Sequence, residues 1–203
     1  MPSTTRTFIA VSVPEALAAR LRRLQQQLSG ELPGVRLSVI PPFHVTLAFL
    51  GDVDHVDLAD VCRAAAAEAA NFGKFELKLE GLGVFPNAAR PRVLWAGVTG
   101  PGLDTLCALQ SALAGAAARL KYPTDGKPFH PHVTLGRFLP RRGADPAGER
   151  ALTQALNRYK TWHAGPFPVT EAVTFASTQT PDGAAYAPLG RAPLAARKPG
   201  APP

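Results

Sequence analysis

The sequence predicts an α+β fold organised as two related halves. Three observations lead there. The tetrapeptide His-Val-Thr-Leu occurs twice, at 44–47 and 132–135, each time in a stretch with strand-like alternation. Around each copy, segments of period two are interleaved with apolar repeats at helical spacing. The chain has 203 residues, 46% hydrophobic and only 18% charged, enough for one well-buried domain or two small lobes sharing a core.

Taken in order, residues 6–13 (RTFIAVSV) alternate and are rich in β-formers, so they read as a strand. Pro14 suits the first turn of a helix on which Leu17, Leu21, Leu24 and Leu28 recur, and Gly30 stops it. Residues 35–40 and 44–50 read as strands separated by Pro41-Pro42, with Gly51-Asp52 as the exit turn. A helix over 58–70 includes the alanine run 64–67, and strands 74–84 and 92–98 form a hairpin across the loop 85–91.

The order then restarts. An amphipathic helix over 103–120 leads through a loop with Pro123, Gly126, Pro128 and Pro131 into a strand over 132–139. A polar loop over 141–148, a helix over 149–159 and strands over 167–177 and 184–189 follow. From Arg191 onward the Ala, Pro, Arg and Lys composition predicts a mobile tail, so a single domain is expected over 1–190 and a tail over 191–203.

The net charge of +7 attracts polyanions and fits an RNA or nucleotide ligand, with a compositional bias towards Arg, Ala and Pro as the alternative source of the charge. No stretch approaches the roughly 20 apolar residues that cross a bilayer, and the N-terminal segment 1–6 is too short to act as a signal n-region, so a cytoplasmic protein with no membrane partner is expected. Cys62 and Cys107 are read as two buried free thiols. His130-x-His132 has metal-ligand spacing, but no matching His, Cys or acidic cluster accompanies it, so no metal is expected. Gly81-x-Gly83 does not open a helix, and no adenylation lysine motif is evident, so no cofactor is expected either.

The repeated tetrapeptide carries the chemistry. On a strand, His44 and Thr46 point one way while Val45 and Leu47 point the other, and His132 and Thr134 alternate likewise with Val133 and Leu135. Each segment offers an apolar face to a core and an imidazole beside a hydroxyl to a cleft. Displacement at phosphorus needs a base for the attacking water and an acid for the leaving alkoxide, and two imidazoles supply both near neutral pH. Arg137, on the outgoing part of the second segment, adds a guanidinium that grips phosphate with paired hydrogen bonds. Strand parity places Arg137 on the opposite face from His132 unless a bulge at Gly136 intervenes, where the missing side chain also allows close approach of a ligand. Phe8, Phe43 and Phe129 are read as core, with stacking on a base as the alternative.

The segments 44–51 (HVTLAFLG) and 128–137 (PFHPHVTLGR) resemble the two signatures of the two-histidine (2H) phosphoesterases, in particular the bacterial and archaeal RNA 2′,3′-cyclic phosphodiesterases once called 2′-5′ RNA ligases. Residues 6–11 (RTFIAV), 83–86 (GVFP) and 91–95 (PRVLW) support the resemblance, which covers about residues 6–190. It implies a bilobal, pseudo-twofold fold with two antiparallel sheets flanking a central cleft and helices outside. It also implies metal-independent hydrolysis of a terminal 2′,3′-cyclic phosphate to a 2′-phosphate. By the same resemblance, His44 is the general acid that protonates O3′, His132 the general base that activates water, and Thr46, Thr134 and Arg137 bind the phosphate. The expected partners are RNA with cyclic phosphate ends or cyclic nucleotides, met by a monomer. Two alternatives stand beside hydrolysis: 2′-5′ ligation of RNA ends, and a non-catalytic module that binds RNA ends.

Overall fold

The computed structural model describes residues 3–32, 35–36, 42–122, 126, 128–138, 146–180 and 183–196. Among these residues, nine strands and four helices occur in the order β1 (Thr4–Ser12), α1 (Glu15–Glu31), β2 (Val35–Arg36), β3 (His44–Asp54), α2 (Leu58–Ala69), β4 (Phe75–Phe85), β5 (Val93–Thr99), α3 (Leu103–Arg119), β6 (His132–Phe138), α4 (Pro146–Arg158), β7 (His163–Val169), β8 (Glu171–Thr180) and β9 (Gly183–Pro193).

The strands form one antiparallel sheet in the order β7-β4-β5-β6-β3-β1-β8-β9, with β2 added against β6. It divides naturally at its centre. Four strands on each side are joined through β3 and β6, whose register among the described residues is the pair Val45 and Val133. The two sheets expected from the resemblance are therefore the halves of one curled sheet, each half ending at a His-Val-Thr-Leu strand.

Helix α1 forms where the leucine spacing places it. Leu17, Leu21, Leu24 and Leu28 are buried, and Pro14 sits just outside as the N-cap, its carbonyl accepting from the Leu17 and Ala18 amides. On α3, Leu106, Leu109 and Leu113 form the buried stripe. The helices exchange sides. Helix α1 follows β1 in sequence yet packs against β6 and β7, whereas α3 follows β5 yet packs against β3. One core unites all four helices with Ile9, Val11, Val45, Leu47, Val133 and Leu135. A smaller cluster of Phe8, Ala10, Val173 and Phe175, with Tyr186 against it, lies on the other face of β1 and β8.

Several boundaries differ from those read in the sequence. Gly51-Asp52 does not turn the chain; β3 continues to Asp54, with Leu50 omitted from the register with β1 and Gly51 at φ 73°, a conformation glycine adopts without strain. The single strand expected over 167–177 is two, parted at Thr170, and they lie far apart in the strand order. Pro166 and Pro168 explain the placing of β7 at an edge, where a missing backbone donor leaves no gap in a ladder. Helix α4 begins at Pro146, three residues before the expected start.

Strand β9 runs past the expected tail boundary at 191 to Pro193, with Arg191, Ala192 and Pro193 paired to β8 and Leu194 buried. Composition misled there because alternation, not polarity, decides whether a strand continues. The remainder of that expected tail, 197–203, and parts of the expected strand 35–40 and loop 141–148 lie outside the described residues. Both cysteines are free, but Cys107 is exposed and Cys62 only half-buried, so the expectation of two buried thiols is corrected: the positions face outward between the leucines of α3 and beside β9. No described helix is long and apolar enough to cross a membrane.

Candidate active site

Each His-Val-Thr-Leu strand shows the alternation its sequence requires. Val45, Leu47, Val133 and Leu135 are buried in the core, while His44, Thr46, His132 and Thr134 are partly exposed on the opposite face. Because Val45 lies opposite Val133, these four polar residues flank the junction between the halves.

The surroundings of the two imidazoles match in detail. The carbonyl before each histidine is taken up by a neighbouring backbone amide: the Val13 amide, just past β1, donates to Phe43 at 2.8 Å and the Val98 amide of β5 to Pro131 at 3.3 Å. The carbonyl one residue earlier is then available to the ring. Nδ1 of His44 donates to the Pro42 carbonyl at 2.9 Å, and Nδ1 of His132 donates to the His130 carbonyl at 2.7 Å. A carbonyl only accepts, so Nδ1 carries hydrogen in both rings. Nε2 is left as the nitrogen that takes or gives a proton.

Burial lowers the pKa of both histidines below the ordinary imidazole range. For His44 the Pro42 contact opposes this and the charge of His132 adds to it; for His132 the His130 contact opposes it and the charge of His130 adds to it. Both rings rest on aromatic walls. Phe8 lies 5.0 Å from the His44 ring and Tyr186 meets it edge-on at 5.2 Å. Phe85 meets His132 edge-on at 4.9 Å, with Trp95 at 6.2 Å. Gly83 is required beneath that second wall, since a Cβ there would lie 2.1 Å from Cζ2 of Trp95.

Arg137 reaches the same face as the histidines through the bulge that parity demanded. Between β5 and β6, Trp95 pairs with Thr134 but Leu94 pairs with Gly136, so Leu135 is the extra residue. Arg137 is consequently exposed on the side of the histidines, and its charge acts on Tyr186 together with that of Arg6. Neither arginine forms an ion pair with a carboxylate among the described residues. Burial raises the pKa of Tyr186, the two cations opposing it, and the hydroxyl stays protonated. Gly136 itself is buried, so it serves the bulge and does not open a path for a ligand.

The first half repeats the device. Ala10 pairs with Thr46 but Ile9 pairs with Ala48, leaving Leu47 as the extra residue of β3. Phe49 then occupies the place that Arg137 holds in β6, and it is 57% exposed. The site is symmetric in its imidazoles and hydroxyls and asymmetric in this one pair.

All five residues singled out by sequence, His44, Thr46, His132, Thr134 and Arg137, share the face of the sheet turned away from the main core. Tyr186, Trp95 and Phe85 were not singled out as site residues: Phe85 and Trp95 stand in the segments 83–86 and 91–95 that support the resemblance without a role of their own, and Tyr186 stands in a strand with no motif. Of the three phenylalanines read as core, Phe8 is buried in the smaller cluster and also backs His44, Phe43 is buried in the main core and Phe129 packs against it. No group of three or more His, Cys, Asp or Glu placed to hold a metal occurs among the described residues.

A family model described as LigT like phosphoesterase matches residues 11–95 and 98–186. The RNA 2′,3′-cyclic phosphodiesterase of Geobacillus stearothermophilus is 36% identical over 130 residues, which span 64% of this chain and 41% of that protein. The protein of the same name from Aquifex aeolicus is 34% identical over 184 residues, covering 89% of this chain and 93% of that one. Among solved structures, the crystal structure of TT0787 of Thermus thermophilus gives a TM-score of 0.75 at 27% identity, covering 95% of this chain and 99% of that one.

Proposed function

Because the chain belongs to the LigT-like phosphoesterases, we propose that it hydrolyses terminal 2′,3′-cyclic phosphates of RNA to 2′-phosphates by proton transfer between two histidines. The observation that carries this reading is the matched pair of Nδ1–carbonyl hydrogen bonds, which leave Nε2 of His44 and of His132 as the working nitrogens of one cleft.

In the reaction, Nε2 of neutral His132 takes a proton from water as the water oxygen bonds to phosphorus. The bond from phosphorus to O3′ breaks, and O3′ takes a proton from Nε2 of His44. The product is a 2′-phosphate with a free 3′-hydroxyl. Thr46 and Thr134 donate hydroxyl hydrogen bonds to non-bridging oxygens, and Arg137 balances the charge that grows on them. His44 holds a proton reluctantly in the free site, where burial and the charge of His132 both oppose it. The bound phosphate anion reverses that balance, so the acid is armed by its own substrate.

The same electrostatics favour a second reading in which His132 donates and His44 accepts, since His44 is the ring opposed by its partner's charge. A cyclic substrate with sulfur in place of O3′ separates them, because a thiolate leaves without a proton. His44→Ala regains activity on the sulfur substrate if His44 is the acid, and His132→Ala regains it if the roles are reversed. Ligation is tested in the same assay by adding a 5′-hydroxyl oligonucleotide and looking for a longer strand. The exchange of α1 and α3 between the halves supports one folding unit.

A further inference from the structure

Two glutamines beneath the sheet occupy matching positions. Gln25 on α1 donates from Nε2 to the Leu135 carbonyl at 2.6 Å, and it is buried at 5% exposure. Gln110 on α3 donates from Nε2 to the Leu47 carbonyl at 3.2 Å. Leu135 and Leu47 are the extra residues of the two bulges, absent from the registers of β6 with β5 and of β3 with β1. Each helix therefore reaches across from its own half to hold the bulge of the other. Both glutamines follow a buried leucine, Leu24 and Leu109, which anchors the helix beside them.

A bulge withdraws a backbone carbonyl from its ladder, and Leu135 is fully buried, so that carbonyl is costly to leave without a donor. A straight β6 would return the carbonyl to a neighbouring strand. It would also carry Arg137 to the helix-covered face, because a shift of one residue reverses every side chain beyond it. Which course the strand takes depends on a donor beneath Leu135, and Gln25 supplies one.

We propose that Gln25 is a positioning residue for the phosphate site: by holding the Leu135 carbonyl it maintains the bulge that turns Arg137 into the cleft. The matching bulge at Leu47 delivers the phenyl ring of Phe49 instead, so of the two glutamines only Gln25 governs the aim of a charge. This rests on the hydrolytic reading above.

The test uses the full chain as wild type, Gln25→Met, Arg137→Met and the double variant. Hydrolysis of a 2′,3′-cyclic nucleotide, sulfate affinity and thermal melting are measured for each. The expected result is a folded Gln25→Met protein whose kcat/KM falls about 10- to 100-fold, as a displaced contact of about 1 Å allows. The double variant is then no worse than Arg137→Met alone, since both changes remove one contact. Full activity in folded Gln25→Met, or the same factor lost with and without Arg137, overturns the proposal. Gln25→Asn, which retracts the donor by one methylene, replaces Gln25→Met if that variant does not fold. Failure of both to fold makes the amide a requirement of the fold alone and overturns it as well. Sulfate affinity needs no turnover: a wild type that hydrolyses nothing defeats the hydrolytic reading, while a drop in sulfate affinity in both single variants still supports the role of Gln25, and its absence defeats that role.

Discussion

Val45 and Val133 face each other where the two halves of the sheet meet, and that one pairing determines the site. Each valine is buried, so its neighbours in sequence are forced to the open face: His44 and Thr46 on one strand, His132 and Thr134 on the other. The two strands run antiparallel, which sets the imidazoles at opposite ends of a common patch, as displacement at phosphorus with entry and departure on opposite sides requires.

Arg137 carries the asymmetry. Arg137→Met is expected to lower kcat/KM by about 10- to 100-fold, the worth of a charge-assisted hydrogen bond of about 1.5–3 kcal/mol. Arg137→Lys recovers only part of it, because a lysine keeps the charge but not the two parallel donors. Steady-state kinetics on a cyclic nucleotide reads both; equal activity of the lysine and arginine proteins would remove the bidentate role.

The pH profile has a definite sign. Turnover needs one protonated and one neutral imidazole, and burial lowers both pKa values from the ordinary value of 6.5. Above the lowered values both rings are neutral and the acid is missing; below them both are charged and the base is missing. The profile of kcat/KM, which reports the free enzyme, is expected to peak on the acid side of about 6.5 and to fall towards pH 8. A profile rising from pH 6.5 to 8 contradicts this.

Anion binding is linked to the same protons. Sulfate keeps its charge over this range and favours the protonated rings, so it is expected to raise the melting temperature more at pH 6 than at pH 8. His44→Ala and His132→Ala should each reduce that difference. Equal stabilisation at both pH values in the wild type would separate the anion from the histidines.

The wall behind His132 is tested at a distance by Gly83→Ala. The new methyl collides with the indole of Trp95, which must move. Overpacking of this kind costs about 1–3 kcal/mol of stability, read by denaturant unfolding. Activity measured well below the melting temperature is expected to fall as well, because Trp95 and Phe85 back the His132 ring. Unchanged activity would make the wall passive.

The facing of the histidine pair was legible in the sequence because a strand's alternation is local: two copies of His-Val-Thr-Leu specify which face each residue takes. A bulge at Gly136 was raised by the parity of Arg137, but its actual residue, Leu135, and the matching bulge at Leu47 were not legible, since an extra residue is defined only against a partner strand. Parity alone put Arg137 on the wrong face, and β5 had to be in place to show Leu135 as the residue left over. The same applies to Thr170, where an apparently continuous strand parts into β7 and β8 in opposite halves. Tyr186 and Gln25 lie far along the chain from the motifs they support, and nothing in their own segments marks them; Trp95 stands in 91–95, a segment of the resemblance that carried no role for it.

The central claim is that both histidines transfer protons, and hydrolysis of a 2′,3′-cyclic phosphate by wild type, His44→Ala and His132→Ala tests it most directly. Each variant is expected to remain folded and to lose about 10²- to 10⁴-fold in kcat, with the wild type unaffected by a chelator. Near-wild-type turnover in either variant, or loss of wild-type activity on chelation, would contradict the account.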